Sequence, residues 1–278
     1  MIKFMAANVF KYTKAIVSGI PNSLAATAVR MDGSDEPVNL EKARQQHKNY
    51  VQVLTELVGE IHIIPADEQF PDCVFVEDPV VVCGDTALVT SPGHKSRGGE
   101  TVAMKEAVTK LGLNVVEMTE PGRMDGGDVL FTGREFFVGQ SARTNEEGLK
   151  QLAAAFPSYP VTGVKVIDSC LHLKSMMSMV VPDNISIGGT SQAAAVAKEI
   201  MERDGHFKYN FLSVPDDFGA NCLFVNGTVV YVSKEPYPKS FEVFEKLSLP
   251  GFSEKIAVNI SELHKVDGCL TCCSVLIN

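Results

Sequence analysis

Short apolar runs occur in pairs along this chain, and each pair is followed by a stretch of helical spacing and one further apolar run. In the first such unit PVVVC and TALVT flank Gly84-Asp85, the pattern of a β-hairpin. A helix is expected from Glu100, with Val102, Ala103, Ala107, Val108 and Leu111 on its apolar face and Gly112 as its C-terminal glycine; NVVEM then closes the unit. The second unit has DVLFT and EFFVG turned at Gly133-Arg134, Thr144 with Glu147 as a capping box, a stripe of Leu149, Leu152, Ala153 and Phe156, and GVKVI. The third has SMVVP, Asp183-Asn184 and ISIGG, a helix capped by Ser191, and YNFLSV. The fourth has CLFVN and TVVYV around Asn226-Gly227, a helix near Ser240–Leu247, and KIAVN.

A fifth unit needs both ends of the chain. LTCCSVLIN supplies one hairpin strand and NVFKYTKAIV its partner, followed by a helix capped by Asn39 with Ala43, Tyr50, Val51, Leu54 and Leu57 in register, and then by IHIIP. The polar corners ahead of the hairpins fall near 78, 125, 172, 217 and 268, a spacing typical of repeat architectures. An ordinary α/β alternation is the plainer reading. Five matching units and a strand pairing between the termini favour one α/β domain over residues 1–278, a closed ring whose corners converge on a central channel.

Glu77, Asp78, Asp125, His172 and one thiol of the Cys272-Cys273 pair occupy equivalent corners, so they should line one pocket. A thiol and an imidazole suggest covalent catalysis. Carboxylates beside a thiol oppose its ionisation unless the substrate is cationic, and a planar guanidinium fits that requirement. Each residue also has a duller reading. Asp125 and Asp128 in DGGD could make an Asx turn, His172 could be a core histidine, and both cysteines could be packing residues. Strand alternation turns Cys272 and Cys273 to opposite faces without saying which meets the channel.

Composition narrows the classes. With 278 residues, 45% of them hydrophobic, the chain can bury a full core, and a formal charge of −9 argues against a nucleic-acid surface. No apolar run has the length of a membrane span, and the start does not read as a signal peptide. Seven cysteines without zinc-finger spacing are expected to be reduced thiols in the cytoplasm, with Cys73, Cys83, Cys170, Cys222 and Cys269 in the core. A papain-like protease would place Cys before His and on a helix; here His172 precedes Cys272.

PDCVFVED, MDGGDVLFTGREFFVGQSARTN, LHLKS, VPDD with GANC, and KVDGCLTCCSVLIN together resemble the dimethylarginine dimethylaminohydrolase family, in order and over nearly the whole chain. The resemblance implies the five-bladed α/β propeller (pentein) of guanidine-modifying enzymes. It also implies hydrolysis of free Nω-methylated arginines to citrulline and an amine, relieving inhibition of nitric oxide synthase, with no cofactor. Carried over, it makes Cys272 the nucleophile, His172 the acid and base, and Asp125 its orienting partner. Asp72, Glu77 and Asp78 would serve the guanidinium, Arg97 and Arg143 the α-carboxylate, and the Val29 and Val266 carbonyls the α-amino group. Position 29 is Val where the family has Leu, and residues 30–37 fall where it has a flap. Cys272, His172 and a carboxylate would suit zinc, but the family works without metal, so zinc is expected only as an inhibitor at Cys272 and His172. Arginine deiminase chemistry, amidinotransferase chemistry and a non-catalytic ring are the alternatives.

Overall fold

The computed structural model describes residues 9–31, 36–167, 170–205 and 207–278. Residues 32–35 of the expected flap over residues 30–37 therefore lie outside the described residues, as does the start of the first apolar run. In chain order the main elements are β1 (Lys14–Ser18), α1 (Leu24–Thr27), α2 (Leu40–Val58), β2 (Glu60–Ile64), β3 (Val80–Cys83), β4 (Thr86–Val89), α3 (Glu100–Lys110) and β5 (Asn114–Glu117). There follow β6 (Val129–Phe131), β7 (Phe136–Gln140), α4 (Glu146–Ala155), β8 (Val161–Lys165), β9 (Met177–Val181), β10 (Asn184–Ile187), α5 (Ser191–Glu202) and β11 (Asn210–Ser213). The last are α6 (Asp217–Ala220), β12 (Leu223–Val225), β13 (Thr228–Val232), α7 (Pro238–Glu245), β14 (Glu254–Val258), α8 (Ser261–His264) and β15 (Val275–Ile277).

The described strands form five sheets of three, ordered β3-β4-β5, β6-β7-β8, β9-β10-β11, β12-β13-β14 and β15-β1-β2. Each is an antiparallel hairpin with a third strand parallel to its second member. The fifth is assembled from the two ends of the chain: Lys14 pairs with Ile277 and Ile16 with Val275, while β1 runs parallel to β2. That arrangement is the five-bladed ring expected from the repeats.

Packing explains why the hairpin strands are continuous apolar runs rather than alternating ones. Successive side chains on a strand face opposite ways, and here both faces meet a neighbouring blade. Val80, Ala87 and Val89 of the first blade pack with Ile16, Val275 and Ile277. Val81, Cys83 and Leu88 of the same hairpin pack with Val129, Phe136 and Val138. The remaining interfaces repeat the scheme, with Phe137 against Ile185, Val180 against Tyr231, and Val17 against Val230 among their buried clusters. At the Asn226-Gly227 turn both residues have positive φ, 51° and 88°, as a two-residue hairpin loop requires. The Asn226 side chain also bonds Tyr12 N, Tyr12 O and Leu57 O, which ties the fifth blade to the fourth.

Helix ends were read one residue out in two places. α5 is capped by Thr190, whose Oγ1 accepts from Ala193 N, and not by Ser191. α4 is capped by Asn145, which accepts from Gly148 N, because the Thr144 hydroxyl is turned inward to Asp128. The face of α3 is rotated as well: Glu100, Met104, Ala107 and Val108 are buried, and Val102 faces solvent. Arg97 draws Glu100 inward and sets that rotation. Asn39 caps α2 as expected, accepting from Lys42 N. Among the described residues no helix is long and apolar enough to cross a membrane.

Candidate active site

Three blades are entered through a single 3₁₀ turn, over Gly126–Asp128, Leu173–Ser175 and Thr271–Cys273. Asp125 and His172 stand immediately before the first two, at equivalent corners. Cys272 lies within the third and not on the strand, which begins at Val275. The alternation argument for the two thiols therefore does not apply. Cys273 is fully buried and donates to Cys269 O at 3.4 Å, while the half-buried Cys272 lines a cavity with Val29, Asp72, Asp78, Arg143, His172 and Val266.

His172 is held from two sides. Its Nε2 meets Asp125 Oδ2 at 2.9 Å, and its Nδ1 lies 3.9 Å from Asp78 Oδ1. Asp125 is itself fixed by Gly93 N at 2.7 Å and is approached by Arg143 Nη1 at 3.5 Å. Burial of His172 opposes its charge, but Asp78, the hydrogen bond to Asp125, and Asp128 outweigh that, and the imidazole pKa is raised to about 10. The ring is therefore an imidazolium at neutral pH. Burial likewise resists ionisation of Asp78, yet His172, Arg97 and the amide of Gly127 hold its pKa below the ordinary carboxylate value.

The two glycines of MDGGD are explained here. A Cβ on Gly126 would lie 2.0 Å from the Glu77 carbonyl oxygen, and one on Gly127 would lie 2.6 Å from His172 Nδ1 and 2.9 Å from Asp78 Oδ1. Asp128 makes no local Asx turn. Its Oδ1 accepts from Leu173 N at 2.9 Å and its Oδ2 from Ser141 and Thr144 at 2.6 and 2.7 Å, so it splices the His172 corner onto the Asp125 corner. Burial is the main reason its pKa rises to about 6.

Arg97 lies on the wall of the same cavity. It is 4% exposed, with Nε on both Glu100 oxygens, Nη2 on Glu100 Oε2 and the Phe75 carbonyl, and Nη1 on Asp78. A guanidinium so engaged braces the site from inside while also lining the cavity beside Arg143, His172 and Cys272. Arg143 is half-buried on the cavity wall, and among the described residues its guanidinium makes only the long contact to Asp125. Glu77 faces Lys174 Nζ at 2.5 Å and Thr271 Oγ1 at 2.9 Å. Burial raises its pKa, and Lys174 offsets part of that rise. Asp72 accepts from Val29 N at 3.2 and 3.3 Å. Lys174, Thr271 and Glu100 were not singled out from sequence. The only signals were Lys174 two residues after His172 in LHLKS and the three-residue step from Arg97 to Glu100. As for metals, donor atoms of Asp78, Asp125 and His172 lie within 4.8 Å of one another, a grouping that omits Cys272.

Five blades sealed by terminal strands, with a thiol and an aspartate-held imidazole at their corners, define an α/β propeller of the pentein class. The sequence pattern described as "N,N dimethylarginine dimethylhydrolase, eukaryotic" matches residues 22–276. The chain therefore belongs to the dimethylarginine dimethylaminohydrolase family. It is 34% identical over 238 residues to N(G),N(G)-dimethylarginine dimethylaminohydrolase of Pseudomonas aeruginosa, covering 84% of this chain and 88% of that one. It is 34% identical over 272 residues to the human protein named Putative hydrolase DDAH2, covering 94% and 93%. A solved structure of the Pseudomonas aeruginosa protein, a mutant complexed with citrulline, superposes with a TM-score of 0.83 at 29% identity over 96% of this chain and 100% of the other. The N-terminal domain of ArgZ shares the fold, with a TM-score of 0.80 at 20% identity over 95% and 97%.

Proposed function

We propose that this protein hydrolyses free Nω-methylated arginines to citrulline and methylamine or dimethylamine. The observation that carries the reading is His172, held by Asp125 at 2.9 Å on the wall of the Cys272 cavity, in a family of this activity. The Cys272 thiolate adds to the guanidino carbon, and His172 gives its proton to the departing amine. The C–N bond breaks and leaves an S-linked thiouronium. His172, now neutral, takes a proton from water as its oxygen adds to the same carbon. Breaking the C–S bond then regenerates the thiolate, and loss of the remaining hydroxyl proton to the released amine or to solvent yields citrulline. No step calls on a cofactor.

Arg143, half-buried on the cavity wall, is assigned to the substrate α-carboxylate, and the Val29 and Val266 carbonyls to the α-ammonium. The Asp72 carboxylate is assigned to the guanidinium, with Glu77 and Asp78 ordering the pocket. Zinc would act only as a competitor for Cys272 and His172. The odd set of free thiols supports a reducing compartment, the cytoplasm.

The test is citrulline and dimethylamine release from asymmetric dimethylarginine, beside ammonia release from arginine and turnover of an N-acetyl, C-amide analogue. Preference for free dimethylarginine is expected. Losing one side of a buried charge pair costs roughly 2–5 kcal/mol, so the blocked analogue should fall by about 30-fold or more. Preference for arginine would replace this reading with a deiminase.

A further inference from the structure

Cys269-Leu270-Thr271-Cys272 is a C-x-x-C pair whose second member is the cavity thiol, and hydrolysis makes no use of its first. Thiols at that spacing can meet as a redox pair. The backbone here allows it. Leu270 is helical, with φ −58° and ψ −45°, and Thr271 opens the 3₁₀ turn, so the two intervening residues are both wound. Three residues of such backbone span ~5–6 Å between Cα atoms and set the end side chains on one face. A disulfide needs about 4.4–6.8 Å. The turn is also pinned. Asn221 Oδ1 accepts from Thr271 N at 3.0 Å, Thr271 Oγ1 meets Glu77 at 2.9 Å, and the Tyr50 hydroxyl donates to Leu270 O at 2.9 Å.

Cys273 is the poorer partner for Cys272. Its thiol is turned to the Cys269 carbonyl oxygen, and adjacent Cα atoms stand about 3.8 Å apart, too close for an unstrained bridge. Cys269 and Cys272 differ in what reaches them. Cys272 is half-buried on the cavity wall, whereas Cys269 is 1% exposed and is not on that wall. The Cys272 side chain, burial and the Cys272 charge, with Cys273 and Glu77 behind them, raise the Cys269 pKa well above the ordinary thiol value. The inner sulfur therefore stays protonated while Cys272 meets solutes. Oxidation of Cys272 removes its negative charge and so withdraws part of what holds the Cys269 proton in place.

We propose that Cys269 is a resolving thiol: when a hydroperoxide enters the cavity, it forms a reversible disulfide with Cys272 and so guards that sulfur against irreversible oxidation. The loss of activity that accompanies the bond rests on the hydrolase reading; the bond itself does not. The Cys272 thiolate attacks one peroxide oxygen, so that an S–O bond forms, the O–O bond breaks and the other oxygen leaves as hydroxide. The Cys269 sulfur then attacks the Cys272 sulfur. The S–S bond forms, the S–O bond breaks, and the hydroxyl leaves as water with the Cys269 proton. The two sulfurs have together given two electrons to the peroxide. A small dithiol reverses the step by exchange. Without Cys269 the sulfenic acid would wait for a second peroxide and pass to sulfinic acid, which thiols do not reduce.

The test treats reduced full-length protein with excess hydrogen peroxide and blocks the remaining thiols with N-ethylmaleimide under denaturing conditions. It then weighs the tryptic peptide 266–278, which holds three cysteines. One maleimide and the loss of two hydrogens are expected. Cys273→Ser should still lose two hydrogens, with no maleimide. Citrulline formation from asymmetric dimethylarginine should fall on oxidation and return with dithiothreitol. Cys269→Ala and Cys269→Ser should match the parent before oxidation, yet regain at least about threefold less activity afterwards and carry sulfinic acid at Cys272. A parent peptide with three maleimides or with sulfinic acid at Cys272 overturns the proposal. So does a disulfide that disappears in Cys273→Ser, or equal recovery in the Cys269 variants. The disulfide without methylarginine turnover refutes the hydrolase reading alone, and turnover without the disulfide refutes the thiol pair alone.

Discussion

Gly127→Ala is a one-carbon change whose effect can be worked out from distances. The added Cβ would stand 2.6 Å from His172 Nδ1, 2.8 Å from its Cγ and 2.9 Å from Asp78 Oδ1. Ordinary contact begins at 3.4 Å, so the imidazole must retreat by at least 0.8 Å, the difference between 3.4 and 2.6. It cannot retreat freely, because Asp125 holds Nε2 at 2.9 Å and Asp128 fixes the following backbone through Leu173 N. A misplacement of about 1 Å in a catalytic group costs ~10²-fold in rate. Overpacking of this size costs about 1–3 kcal/mol of stability. The expected variant is folded, with kcat for citrulline formation lowered ~10²-fold, while slow alkylation of Cys272 persists because the thiol has not moved. Gly126→Ala is the contrast. Its Cβ would meet the Glu77 backbone oxygen at 2.0 Å, and backbone cannot swing aside, so that variant should lose folding rather than rate. A Gly127→Ala enzyme with kcat within threefold of the parent would refute the placement of His172 as the proton donor.

Cys272→Ser should abolish turnover with the fold intact, and Cys273→Ser should retain most activity; activity assays with denaturation curves on both decide, and the reverse pattern would exchange the two thiols. Arg97→Met strands Asp78 and Glu100 without their cation, so chemical denaturation should show a loss of about 3–5 kcal/mol. The ring of His172 should titrate near 10 by NMR and not near 6.5. Because its folded pKa is raised, the stability it contributes is full below about 6.5 and is lost as pH rises through about 10. A ring that titrates near 6.5 would remove the imidazolium from the resting enzyme.

The ring was legible because each hairpin run obeys a local rule that long-range packing reinforces. PVVVC is apolar throughout since Val80 and Val81 face different neighbouring blades. What was not legible depends on partners far away in sequence. Thr144 reads as a cap until Asp128 is seen to claim its hydroxyl, and Asp128 reads as a turn residue until Leu173 N is seen to reach it from the next blade. Arg97 has the residue type that grips carboxylates, and only the structure shows that Asp78, Glu100 and the Phe75 carbonyl already hold it at the cavity wall. The thiol pair stood next to an apolar run and was read as strand. A 3₁₀ turn ends at Cys273, and pairing starts only at Val275.

The carboxylates on and behind the cavity wall divide by what already neutralises them. Glu77 has Lys174, Asp78 and Glu100 have Arg97, and Asp125 has His172 with Arg143 nearby. Asp72 differs. Its carboxylate is buried to 4% exposure, yet its direct partner is one backbone amide, Val29 N, at 3.2 and 3.3 Å, and Arg97 reaches only its carbonyl. Burial raises its pKa accordingly, with Arg97 supplying part of the opposing pull. Of the carboxylates that line the cavity, Asp78 is matched by Arg97 and Asp267 accepts from Met31 N, while Asp72 has no ion pair among the described residues. A guanidinium placed against Asp72 would give that carboxylate an opposite charge, and it would bring its own carbon toward the wall where Cys272 and His172 stand. On the proposed reading, the preference for a cationic, planar substrate would be built less from the number of acids near the pocket than from Asp72, which has no ion pair among the described residues.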